Sequence, residues 1–129
     1  MFKKKCVFIT GVGKGIGEAT FNKFSKKGFF IYGITRSKND LKKFKSTNSK
    51  IYSGDVRNIK LIKKIFDQSI KDKRLITGLV NNAGIRQRKP FLKIKNKNIK
   101  ELFDINFFSI FEICKIYVNY CKKFKIKSS

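Results

Sequence analysis

Histidine is absent from this 129-residue chain, and cysteine occurs only at Cys6, Cys114 and Cys121. With no histidine and no Cys-x-x-Cys pair, a structural zinc site has no ligand set. An odd number of scattered thiols argues against a disulfide framework and for a reducing, cytoplasmic setting. Cys114 and Cys121 stand seven residues apart, the spacing of one helical face, and read as packing. Proline occurs once, at Pro90, and no linker divides the sequence, so the length fits a single domain with a real core. Long apolar runs are missing too. The most hydrophobic stretch, residues 105–120, is interrupted by Glu112, Lys115 and Asn119 and does not make a bilayer span. Lys3, Lys4 and Lys5 imitate the basic start of an export signal, but the apolar stretch behind them ends at Gly11. No membrane partner is expected.

Acidic residues are scarce: 8 Asp and Glu face 32 Lys and Arg, for a net charge of +24. Such a balance ordinarily suggests nucleic acid. Here the lysines are spread along every segment, and Lys, Asn, Ile and Phe are all abundant, the residues of A/T-rich codons. A nucleic-acid-binding role therefore ranks last among the readings. The field should still draw in a phosphorylated small ligand.

Against this background the glycines are concentrated where they matter. The apolar run Cys6-Val7-Phe8-Ile9 breaks into Thr10-Gly11-Val12-Gly13-Lys14-Gly15-Ile16-Gly17. A strand that turns on glycines into a helix offers a pyrophosphate unpaired backbone N–H groups at the positive end of the helix dipole. A Cβ in such a turn would collide with the phosphates. The spacing is Gly-x-x-x-Gly-x-Gly; the Gly-x-Gly-x-x-Gly pattern fails because Ile16 occupies its third position. A second motif, Asn81-Asn82-Ala83-Gly84, follows the buried run Leu75-Ile76-Thr77-Gly78-Leu79-Val80.

Together the two motifs resemble the short-chain dehydrogenase/reductase family, whose members carry Thr-Gly-x-x-x-Gly-Ile-Gly after the first strand and Asn-Asn-Ala-Gly after the fourth. The resemblance covers the whole chain but only about the first half of a family domain. It implies that Thr10, Gly11, Gly13, Lys14, Gly15, Ile16 and Gly17 form the diphosphate turn. It also implies that Asp55 accepts from an adenine amino group with Val56 beside the ring, and that Asn82, Ala83 and Gly84 line the adenosine ribose side. Asn81 is expected to tie its strand to the neighbour. Asn106 matches a helix-bending asparagine that holds a water in the family's proton relay. NADP(H) is expected over NAD(H): Ile34-Thr35-Arg36-Ser37 ends the second strand with no carboxylate until Asp40. Arg36 offers a planar fork for a 2′-phosphate, and Lys14 is a second cation on the same side of the turn.

The remaining pattern alternates strand and helix. Strands are expected over residues 5–10, 29–35, 51–53 and 75–81. Helices are expected from Gly15 or Ile16 to Gly28, over 39–44, from about 58 to 71, and from 99 to 122, with a polar loop through Ser49 and a basic loop over 84–98. Ile16, Ala19, Thr20 and Phe24 should form the inward stripe of the first helix, and Ile62, Ile65, Phe66 and Ser69 that of the third. This order calls for a Rossmann-type, doubly wound α/β fold with parallel strands in the order 3-2-1-4 and ligands at the strand carboxyl ends.

The family's chemistry, reduction of a ketone or oxidation of a secondary alcohol, uses Tyr-x-x-x-Lys, in which a lysine lowers the phenol from its usual pKa near 10. None of the four tyrosines fits. Tyr32 precedes Arg36, but both lie on one strand, about 13 Å apart. Ser128 and Ser129 only echo the serine that orients the substrate. The sequence therefore reads as an NADP(H)-dependent oxidoreductase domain incomplete at its carboxyl end, binding cofactor without turnover on its own. A non-catalytic dinucleotide-binding module is the alternative. The fourth strand would then lie at an open edge, and Phe107, Phe108 and Phe111 on the fourth helix are expected to drive self-association.

Overall fold

The structure is a computed structural model describing residues 5–45 and 48–127; Lys3, Lys4, Ser128 and Ser129, named above, lie outside the described residues. Four parallel strands, β1 (Cys6–Thr10), β2 (Phe30–Thr35), β3 (Ser49–Ser53) and β4 (Ile76–Val80), form one sheet in the order β3-β2-β1-β4. Every residue of β1 and β2 is buried, as expected of central parallel strands covered on both faces. Alternation then divides the core. Cys6, Phe8, Tyr32 and Ile34 pack on one side with α2 (Ile59–Lys71) and the long C-terminal helix, while Val7, Ile9 and Ile31 pack on the other with α1 (Gly15–Lys26) and Phe44.

The helices start and stop for identifiable reasons. The Asn58 side chain caps α2 by accepting from the Leu61 N–H at 3.1 Å, and Ile62, Ile65, Phe66 and Ser69 form its buried stripe as expected. Gly28, at φ +78°, ends α1 in the left-handed conformation, with the Phe29 N–H reaching back to the Phe24 carbonyl. On α1 the expected stripe needs correction. Gly17 and Phe21 face inward, whereas Ile16 is 79% exposed and Ala19 is exposed. The helix is rotated because its glycine, having no side chain, is the residue that can lie against β1 and its loop.

The segment between β2 and β3 is a 3-10 helix over Lys38–Phe44, and β3 begins at Ser49, inside the expected polar loop. The expected fourth helix is in three parts: α3 (Asn96–Phe103), a π-helical turn (Asp104–Phe108) and α4 (Ser109–Phe124). Tyr120 on α4 ties this helix to the sheet. Its hydroxyl accepts from the Ile76 N–H at 3.1 Å and lies 3.0 Å from Ser69 Oγ, which itself donates to the Phe66 carbonyl. Tyr120→Phe leaves the fully buried Ile76 N–H without that acceptor, and urea denaturation should register a loss of about 1–3 kcal/mol.

Candidate functional site: a cleft at the strand carboxyl ends

The loops after β1, β2 and β4 enclose a cleft of about 970 Å³ where the strand order reverses. Gly11 and Gly15 turn through φ +71° and +58°, angles that L side chains avoid, and bring the chain from β1 into α1. A Cβ on Gly17 would fall on the Gly11 carbonyl oxygen, so the first turn of α1 touches the β1 loop backbone to backbone. The N–H groups of the first turn of α1 have no intrahelical partners, and Lys14, which precedes them, supplies no side-chain cap, so they stand uncapped at the positive end of the dipole. These are the features a diphosphate requires, and a dinucleotide fits them.

The cradle is closed by one hydroxyl and one amide. Thr10 Oγ1 accepts from the N–H groups of Asn82 and Ala83, each at 3.0 Å. Asn82 Nδ2 returns to the carbonyls of Thr10 and Gly11 at 3.1 and 3.0 Å. The two motifs read from the sequence are thus one hydrogen-bonded unit. Asn82 performs the tie between strands expected of Asn81. Asn81 instead turns to α4, where its Nδ2 donates to Cys114 Sγ at 3.4 Å, and its buried Oδ1 has no partner among the described residues.

Gly11, Gly13, Lys14, Gly15, Ile16, Arg36, Asn82, Ala83 and Gly84 line the cleft together. Asp40 and Arg86 also line it, and sequence reasoning gave neither a place there. Asp40 returns from the 3-10 helix to accept from Thr35 Oγ1 at 2.7 Å, against Gly13, where a Cβ would collide with the carboxylate. Lys43 holds the same segment down by donating to the Gly13 carbonyl at 2.6 Å and pairing with Glu18 at 3.4 Å. A carboxylate therefore stands at the end of β2 after all, beside an Arg36 that has no ion pair among the described residues.

Asp55 and Val56 are set differently. Arg57 clasps the Asp55 carboxylate with its guanidinium at 2.6–3.1 Å and its backbone N–H at 2.8 Å, holding the carboxyl below its ordinary pKa. Val56 is 6% exposed and packs in the core with Ile34. Asn106 lies in the π-helical turn, where its amide both accepts from the Ile85 N–H at 2.8 Å and donates to the Ile85 carbonyl at 2.7 Å. It pins the chain leaving Gly84 to the helix. Among the described residues no helix is long and apolar enough to cross a membrane, and no cluster of potential metal ligands occurs.

Comparison with known proteins agrees with this geometry. The family model for short chain dehydrogenases matches residues 5–126. The 11-beta-hydroxysteroid dehydrogenase-like 3 protein of Arabidopsis thaliana is 31% identical, over 96% of this chain and 43% of its own length. The solved structure of ElxO with NADP bound superposes with a TM-score of 0.83 at 26% identity, covering 94% of this chain and 52% of that one. For 4-hydroxyisoleucine dehydrogenase complexed with NADH and succinate the TM-score is 0.81 at 27% identity, covering 95% and 53%. The chain spans about half the length of the curated relatives it matches. A four-stranded parallel sheet in this order, a glycine turn clamped to the Asn-Asn-Ala-Gly loop, and the matched family model make the chain a member of the short chain dehydrogenase family.

Proposed function

We propose that this chain binds a nicotinamide dinucleotide in the cleft, with NADP(H) preferred over NAD(H). The whole protein is then an oxidoreductase acting on a ketone or secondary alcohol. The observation that carries the reading is the union of the glycine turn and the uncapped start of α1 with the Asn82 loop through Thr10. When bound, the nicotinamide supplies or accepts the hydride. The chain's own residues hold its phosphates on the first turn of α1 and its ribose beside Ala83 and Gly84. Asp55, already oriented by Arg57, is our candidate reader of the adenine amino group, with Val56 behind it. Asn106 is a positioning residue that fixes Ile85 and so the outgoing cleft wall. An odd count of scattered cysteines with no Cys-x-x-Cys pair favours a reducing, cytoplasmic setting.

Neighbours of similar fold hold NADP in one case and NADH in another, so the preference rests on this chain's own side chains. Lys14 and Arg36 line the cleft without ion-pair partners among the described residues and favour a 2′-phosphate, while Asp40 opposes it. Arg36→Ala should weaken NADPH about tenfold in a fluorescence titration while changing NADH less than about twofold. Asp40→Asn keeps an acceptor for Thr35 and removes the charge, so it should favour NADPH by several-fold. Equal effects of both variants on the two cofactors would refute the preference.

Self-association through the π-helical turn and the start of α4 is part of the same proposal. Phe107, Phe108 and Phe111 are 54–58% exposed, with Phe107 and Phe108 stacked edge to face at 5.3 Å. Sedimentation velocity should find an assembly that Phe107→Ser with Phe111→Ser reduces to monomer; an unassociated wild-type chain would contradict it.

A further inference from the structure

The loop leaving the cleft is built like a surface that meets lipid. Between Gly84 and Ile99 the sequence holds six basic residues (Arg86, Arg88, Lys89, Lys93, Lys95, Lys97) and no Asp or Glu. None of the six forms an ion pair among the described residues. At the centre of this stretch, on a short 3-10 turn after Pro90, Phe91 and Leu92 are 85% and 94% exposed. Single exposed apolar side chains are ordinary, but an adjacent Phe-Leu pair almost wholly in water within an acid-free basic loop is not.

The tip is also held in place. Gln87 Oε1 accepts from the Arg88 and Lys89 N–H groups, and the Lys93 N–H donates to the Pro90 carbonyl at 2.8 Å. Asn106 anchors the base of the loop at Ile85, which packs against the core. The fold therefore presents the pair outward on a hydrogen-bonded support.

We propose that this loop is a membrane-surface docking element, seating Phe91 and Leu92 in the headgroup layer of an anionic bilayer while the surrounding Lys and Arg meet lipid phosphates and carboxylates. Such a pattern lies on a membrane and does not span it, so it departs from the expectation of no membrane partner, which rested on the lack of an apolar span and an export signal. An anionic leaflet matches both halves of the loop, its charge and its apolar tip. Nucleic acid matches the charge, and a base can stack on Phe91, but it leaves the more exposed Leu92 unmatched. Because Gly84 and Arg86 line the cleft, docking brings the cleft mouth to the lipid surface.

The chain contains no tryptophan, so Phe91→Trp places a single fluorescent reporter at an exposed tip. With vesicles of phosphatidylcholine and phosphatidylserine its emission should shift to the blue and be quenched by brominated lipid; with phosphatidylcholine alone it should do neither. Adding Arg88→Gln and Lys93→Gln should weaken vesicle binding about 25-fold, at about fivefold per cation. Removing as many charges from α1, with Lys23→Gln and Lys26→Gln, should change it less than about twofold, although the net charge falls equally. A chain that sediments with anionic vesicles while its reporter stays in water would overturn the proposal. So would a reporter that shifts only with single-stranded DNA or with protein concentration.

Discussion

Gly17→Ala is expected to lower dinucleotide affinity by about 100-fold or more and to destabilise the fold by about 2–3 kcal/mol. The added methyl falls on the Gly11 carbonyl oxygen and within 2.5 Å of Asn82 Nδ2. Neither is the far end of a flexible chain: one is backbone, and the other is fixed by hydrogen bonds to Thr10 and Gly11. The first turn of α1 must therefore move away from β1, and the N–H groups that would hold the phosphates move with it. Gly28→Ala is the matched control. It meets no atom within 4 Å and pays only for its φ of +78°, about 1 kcal/mol, with cofactor affinity unchanged.

Thr10→Val carries the second large effect, an expected loss of about 2–4 kcal/mol in urea denaturation. Valine matches threonine in shape, so the packing around this 2%-exposed residue is kept. What disappears is one oxygen serving the N–H groups of Asn82 and Ala83, each of which is left to find another partner at about 1–3 kcal/mol. Thr10→Ser retains the oxygen and should lose under about 1 kcal/mol. If valine were as well tolerated as serine, the hydroxyl would not be what joins the two motifs.

The order of strands and helices was legible because each signal was strong where it was used. Two runs of apolar residues ending in glycine and asparagine motifs located β1 and β4, and a clear 3.6-residue period located α2. Less was legible wherever a residue's partner lies across a turn of irregular geometry. Asp40 could not be brought back to Thr35 from sequence, because only the 3-10 path of residues 38–44 carries it there. Ile16 looked like the start of an apolar stripe, yet the close backbone contact at Gly17 turns it outward. Which of Asn81 and Asn82 would clamp β1 depended on the path of the chain beyond Val80, where β4 ends and strand alternation no longer applies. The acid-free character of the loop after Gly84 was visible in sequence, but the exposure of Phe91 and Leu92 came only with the fold.

Isothermal titration of NADPH into the folded chain tests the central claim most directly. One saturable site per chain is expected, with the melting temperature rising as free ligand exceeds the dissociation constant, and with both responses lost in Gly17→Ala. A wild-type chain that melts cooperatively yet gives neither binding heat nor a thermal shift with NADPH or NADH would contradict the reading of the cleft as a dinucleotide site.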